Sequence, residues 1–344
     1  MKRSRRTIRT DGGQPGLFDD VEGADPFGVA DIMADTVRRL RVSGKADASG
    51  ADSLAMPASA VQRSERLMFV SFGSGSSGNC AYVGTRSGGV LIDAGVDDSV
   101  VLKGLKDNGI DYAGAVRGII LTHDHGDHVR YVYKLLRRHA DKRLWATPKT
   151  LSGILRRHSI SRRIKEYHQP IYKEFEFHAG PLAVTPFETS HDGTDNVGFS
   201  ISCGAETFVV ATDMGCVTER ALHYMAKATV LMVESNYDAR MLAAGRYPMY
   251  LQARIRGERG HMDNTATAAR LAELWTPAMH HVFLCHLSHD NNTPELAVDA
   301  ARAALEQAGA TVAVGAGEPF AMRKAGVQLA VLPRFDSSPL YVFS

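Results

Sequence analysis

The segment Thr122-His123-Asp124-His125-Gly126-Asp127-His128 places three histidines and two aspartates within six residues, directly behind an apolar run, Gly118-Ile119-Ile120-Leu121. In extended chain, residues i and i+2 point the same way, so His123 and His125 can bind one ion together. Asp127 and His128 fall where the next helix begins and can turn toward a second ion. Neutral imidazole and carboxylate suit Zn²⁺, Mn²⁺ or Fe²⁺. The plain alternative is a solvated polar turn between strand and helix, and it needs this cluster to arise by chance.

Three more residues sit where a strand gives way to a loop. His191 follows the β-type run 182–185 after a short linker, Asp213 follows 208–212, and His286 follows 282–285. Each alone reads as a cap or turn residue. Together with the cluster they complete two ligand sets, with Asp213 as a bridge.

The rest of the chain sets the frame. Its 344 residues are 44% apolar and 23% charged, with a net charge of +2, ordinary for a soluble globular protein. Cys80, Cys203, Cys216 and Cys285 form no CxxC pair, which points to a reduced, cytoplasmic chain. The basic start has no apolar stretch behind it, and no run approaches the ~18 apolar residues of a membrane helix, so no membrane association is expected.

Residues 1–66 are rich in Gly, Ala, Ser, Asp and Arg and read as a mostly disordered extension with one amphipathic piece at 27–40. From 67 to 344, β-type runs recur at 81–83, 90–92, 118–121, 144–146, 182–185, 198–202, 207–211, 230–233 and 282–285. Helical patterns lie at 99–108, 129–139, 218–226, 264–276 and 294–308. Two packed sheets flanked by helices follow from that mixture.

In order, HxHxDH, a lone His, Asp, then His resembles the metallo-β-lactamase superfamily. Asp93 in Leu91-Ile92-Asp93-Ala94-Gly95 matches its early aspartate, a support for the metal loop. The resemblance implies an α/β fold, an αββα four-layer sandwich with the active site along one edge of the two sheets. Further stretches are similar to the YycJ/WalJ-like branch, bacterial proteins regarded as DNA exonucleases. They are Phe72-Gly73-Ser74-Gly75-Ser76-Ser77-Gly78-Asn79-Cys80, Glu234-Ser235-Asn236-Tyr237-Asp238, Gly257-Glu258-Arg259-Gly260-His261-Met262-Asp263-Asn264 and His286-Leu287-Ser288-His289-Asp290-Asn291-Asn292. Met262-Asp263 departs from the branch, which has Ser after its Gly-His-Leu unit. The interval from Asp213 to His286 is too short for the β-CASP insertion of related RNA nucleases.

The resemblance implies that His123, His125 and His191 hold one divalent ion, that Asp127, His128 and His286 hold another, and that Asp213 bridges them. The ions would be Zn or Mn, with a hydroxide between them as nucleophile. The catalytic set is Asp127, Glu234 and His261, with Glu234 orienting His261 toward the scissile phosphate or the leaving group. A capping Glu and a surface His are the bland alternative for that pair.

Ser76, Ser77 and Asn79 lie in a Gly- and Ser-rich loop that either cradles a phosphate or makes a hairpin turn. Ser288 and Asn292 follow a proposed ligand and read either as substrate contacts or as support. The other histidines, such as His158, His280 and His281, read as surface or packing residues.

Twelve Lys or Arg residues lie between Arg130 and Lys165, opposed there only by Asp141. A solvated helix face usually carries both signs, so this run reads as a basic surface beside the site for a phosphate backbone. In the extension, Gln14, Leu17 and Phe18 resemble the peptide with which bacterial replication and repair proteins dock on the sliding clamp. The reading is a metal-dependent DNA exonuclease in repair or replication. An RNA-processing nuclease and a small-molecule phosphodiesterase or thioesterase on the same site are the alternatives. A non-enzymatic nucleic-acid binder would have no use for an open ligand set of this kind.

Overall fold

Continuous apolar strands, buried on both faces, dominate the computed structural model, which describes residues 66–315 and 326–343. The extension, with its helix expected at 27–40 and the clamp-like Gln14, Leu17 and Phe18, lies outside the described residues. The first sheet starts as an antiparallel meander, β1 (Met68–Gly73), β2 (Cys80–Gly84) and β3 (Gly89–Ile92). It continues in parallel through β4 (Val116–Ile120), β5 (Arg143–Ala146) and β6 (His168–Pro170).

The second sheet opens antiparallel with β7 (Phe177–Ala179), β8 (Leu182–Glu188), β9 (Val197–Cys203) and β10 (Glu206–Ala211). It then adds β11 (Val230–Glu234), β12 (His281–Cys285), β13 (Val312–Val314) and β14 (Val327–Val331) in parallel. β15 (Tyr341–Val342) returns to the first sheet beside β1.

Ten α-helices follow in chain order among the described residues. α1 (Asp98–Asp107), α2 (Tyr112–Ala115), α3 (Gly126–Val129), α4 (Val132–Leu136) and α5 (Pro148–Arg157) accompany the first sheet. α6 (Glu219–Met225), α7 (Ala239–Ala244), α8 (Met249–Arg256), α9 (Asn264–Leu274) and α10 (Pro294–Gln307) accompany the second.

Alternate side chains point to opposite faces of a strand, so each sheet feeds two cores. Phe69, Val83 and Ile92 meet Phe199, Phe208 and Phe283 between the sheets. The Phe69 ring lies 4.8 Å from Phe208 and 4.9 Å from Phe283. Val70, Leu91 and Ile119 turn outward against Val101 and Leu105 of α1 and Leu135 of α4. Leu231, Val233 and Leu284 turn outward against Met225 of α6, Leu271 of α9 and Leu305 of α10. Three apolar cores separate four layers, the αββα sandwich expected from the sequence.

One expected helix, at 129–139, is broken into α3 and α4. The Tyr131 N–H donates to Ala94 O at 2.8 Å instead of continuing the helical ladder, which ties this turn to the loop after β3.

Candidate active site

Six strands deliver their carboxyl ends to one edge of the sandwich. Asp93 follows β3, the 122–128 loop follows β4, His191 follows β8 and Asp213 follows β10, while Glu234 closes β11 and His286 follows β12. Asp93, Asp213 and His286 have φ values of 59°, 53° and 55°. A non-glycine residue in the left-handed region costs about 1–3 kcal/mol unless its surroundings fix it. Three such residues at one edge mean that the strand ends are bent to aim side chains inward.

The imidazoles are oriented from behind. Asp93 accepts Thr122 N–H at 2.9 Å and the Thr122 hydroxyl, and it pairs with His128 Nδ1 at 2.8 Å. Since the Thr122 hydroxyl donates to Asp93, it accepts from His123 Nδ1 at 3.0 Å. His191 Nδ1 donates to Gly260 O at 2.9 Å. Each Nδ1 is therefore committed, and Nε2 is the nitrogen that His123, His128 and His191 turn toward the site.

Charge completes the picture. Burial would raise the Asp213 carboxyl, but His286, His128 and His123 outweigh it and hold it well below the usual carboxylate range. Burial would lower His128, but Asp213, Asp93 and Asp127 push it up to about 9. Burial, reinforced by His128, drives His123 well below its ordinary value.

These residues fit divalent ions. His123 Nε2 is buried and has no hydrogen-bond partner, an orphaned lone pair that a cation would satisfy. Ligand atoms of His123, His125 and His191 lie within 4.8 Å of one another, and so do those of Asp127, His128 and His286. Asp213 lies between, with Oδ2 3.5 Å from His128 Nε2 and Oδ1 3.9 Å from His191 Nε2. Glu234 and His261 form a further such group with Asp213 and His286.

Glu234 is fully buried, and both of its oxygens are used. Oε1 takes His261 Nδ1 at 2.7 Å and His286 Nδ1 at 3.0 Å, while Oε2 accepts Met214 N–H at 2.9 Å. His261 lines a cleft of ≈ 290 Å³ together with His125, Asp127, His191, Asp213 and His286. The Met262-Asp263 departure is absorbed locally: Asp263 caps α9, accepting the N–H groups of Thr265 and Ala266.

Other expected residues fare differently. Ser76 and Ser288 line the cleft. Ser77 is exposed at the loop tip, where its carbonyl accepts from Arg130. Asn79 does not line the cleft; its side chain binds Gly75 and lies 3.0 Å from His128 Nε2, so it braces the metal loop. Asn292 is also turned inward, with its amide saturated by Ser235 O, Asn236 O, Asn264 and Thr293 N–H.

The basic run needs a parallel correction. Lys134 and Arg138 pair with buried Asp98, Lys142 with Asp141, Arg157 with Asp124 and Arg163 with Glu166. Arg130, Arg137, Arg143, Lys149, Arg156, Arg162 and Lys165 stay exposed, and no ion pair holds them among the described residues.

Sequence reasoning missed Asp192, Tyr247 and Arg254, which also line the cleft. Asn236 was quoted without a role, and it donates to His286 O at 2.7 Å.

The profile of a family described as Beta-lactamase superfamily domain matches residues 89–287. The chain belongs to the metallo-β-lactamase superfamily. Within it the YycJ/WalJ-like branch is the match. Exodeoxyribonuclease YycJ of Bacillus anthracis is 32% identical over 260 residues, 74% of this chain and 93% of that protein. Exodeoxyribonuclease WalJ of Streptococcus pneumoniae is 28% identical over 234 residues, 65% of this chain and 82% of that protein.

Among solved structures, the metallo-β-lactamase fold protein YhfI from Bacillus subtilis shares the fold at a TM-score of 0.56 and 15% identity, covering 80% of this chain and 99% of its own. As a member of the superfamily the chain is a metal-dependent hydrolase. No helix among the described residues is long and apolar enough to cross a membrane.

Proposed function

We propose that the chain is a phosphodiesterase acting on DNA as an exonuclease in repair or replication. The observation that carries this reading is the buried Glu234 holding His261 at the edge of the ligand cluster, inside an open cleft. Two relatives named exodeoxyribonucleases and the exposed basic side chains beyond α3 support it.

His123, His125 and His191 would hold one divalent ion, Zn²⁺ or Mn²⁺, and Asp127, His128 and His286 another, with Asp213 shared. Such ions supply Lewis acidity toward a phosphoryl oxygen and lower the pKa of a coordinated water.

The protein's own groups handle the leaving side. Glu234 accepts a hydrogen bond from His261 Nδ1–H, which leaves Nε2 as the nitrogen that can meet a substrate oxygen. Burial would lower His261, but Glu234 outweighs it and raises the ring above its ordinary value. A protonated His261 can therefore donate to the departing 3′ or 5′ alkoxide. Buried Glu234 keeps that ring in register.

The test compares DNA with bis(4-nitrophenyl) phosphate, whose nitrophenolate leaves without a proton. His261→Gln is expected to lower kcat on DNA by about 10²–10⁴-fold and to spare the aryl ester. Metal-loaded native protein that cleaves the aryl diester but neither DNA nor RNA would overturn the reading in favour of a small-ester hydrolase.

A further inference from the structure

α8 supplies one wall of the cleft. None of its side chains is buried, and Met249 and Tyr250 are 86% and 76% exposed. Yet Tyr247, Leu251, Arg254 and Ile255 from this segment line the cleft. Its place is held by contacts that reach across the opening.

On one side, Arg254 donates through Nε to Asp192 Oδ2 at 2.7 Å, and its Nη2 lies 2.6 Å from the same oxygen. The other Asp192 oxygen stands 3.3 Å from His125 Nε2 and 3.5 Å from His191 Nε2. On the other side, the Tyr247 hydroxyl donates to Asp290 Oδ2 at 2.8 Å. Between them, Ile255 O accepts the His261 N–H at 2.8 Å, so the last turn of α8 is tied to His261 itself.

A helix pinned at both ends over a cleft of ≈ 290 Å³ leaves room for a single nucleotide, since pockets for drug-sized ligands begin at about 300 Å³. Tyr247, Leu251, Arg254 and Ile255 line one side of the cleft next to His261, so a chain extending from the site on that side meets α8. We infer that α8 bars one side of the cleft and restricts the reaction to free strand ends, with Arg254–Asp192 and Tyr247–Asp290 as its two latches. The inference rests on the nuclease reading and adds the physical source of its end requirement.

The experiment compares linear single-stranded DNA with a covalently closed circle of the same sequence, using the full chain loaded with Mn²⁺. Native protein should degrade the linear strand at least about 10²-fold faster, the scale of loss when reacting atoms cannot be aligned. The pair Arg254→Ala and Tyr247→Phe should raise cleavage of the circle relative to the linear strand by about threefold to tenfold, as loosening two exposed contacts allows. Both side chains border the cleft outside the cores, and a melting curve checks folding.

Equal rates on circle and linear strand in the native protein, or an unchanged ratio in the double variant, overturn the bar while leaving the nuclease in place. Native protein inert toward both strands, and toward duplex DNA and RNA of the same sequence, removes the nuclease reading, and this inference with it.

Discussion

Asp93 shows how much a single residue can do at this site without facing the cleft. It accepts from Thr122 and His128, and through the Thr122 hydroxyl it also fixes His123. Asp93→Asn should therefore weaken metal affinity by about 10–100-fold with little change of fold, read by competition against a chelator. Unchanged affinity would contradict the role. Asp98 serves the fold instead. Burial would raise its carboxyl, but hydrogen bonds from Arg138 and Lys134 outweigh it and hold it below the usual carboxylate range. A depressed folded-state pKa contributes stability above the unfolded value of about 3.9, and that contribution is lost as pH falls through the folded value. Asp98→Asn should thus cost about 1–2 kcal/mol in denaturant unfolding at pH 7. The gap from native protein should close as pH falls below about 4. A gap that is constant with pH would show that the pair contributes packing and not charge.

Loops, at the next scale, were read with uneven success. The seven residues were legible as ligand candidates because each lies close behind a strand or in the 122–128 cluster, where local order decides direction. Asp192, Tyr247 and Arg254 were not, because their contacts join loops 43 and 62 residues apart in the chain. α8 was not either, since a helix that buries no residue fully carries only a weak apolar stripe, Leu251 and Ile255. β6, β13 and β15 are edge strands of two or three residues, too short for an alternation to register. The twelve Lys and Arg residues between Arg130 and Lys165 looked nearly unopposed for a similar reason: Asp98 and Asp124 come from outside the run and neutralise three of them. Gly95 marks how tightly the 93–96 loop meets the metal loop, since a Cβ there would lie 1.6 Å from Asp127 O. Gly95→Ala should cost about 3 kcal/mol or more and lower metal content in the purified protein. Normal melting together with full metal content would mean that the two loops are free to part.

Across the whole molecule, two sheets bring six strand ends to one edge, and three apolar cores hold them there. The fold was legible as a class from the order of runs and from the resemblance. Its four-layer form follows from strands that are apolar on both faces. Substrate is a different matter, because the same edge serves many esters in this superfamily, and the Glu234–His261 pair, the cleft, the remaining basic surface and the likeness to YycJ and WalJ argue for a phosphodiester. The most direct measurement is hydrolysis of end-labelled DNA by protein loaded with Mn²⁺ or Zn²⁺, with matched RNA alongside, native against Asp213→Ala. The account predicts stepwise shortening of DNA that chelation or Asp213→Ala abolishes. Fully metal-loaded protein that leaves every nucleic acid intact would contradict it.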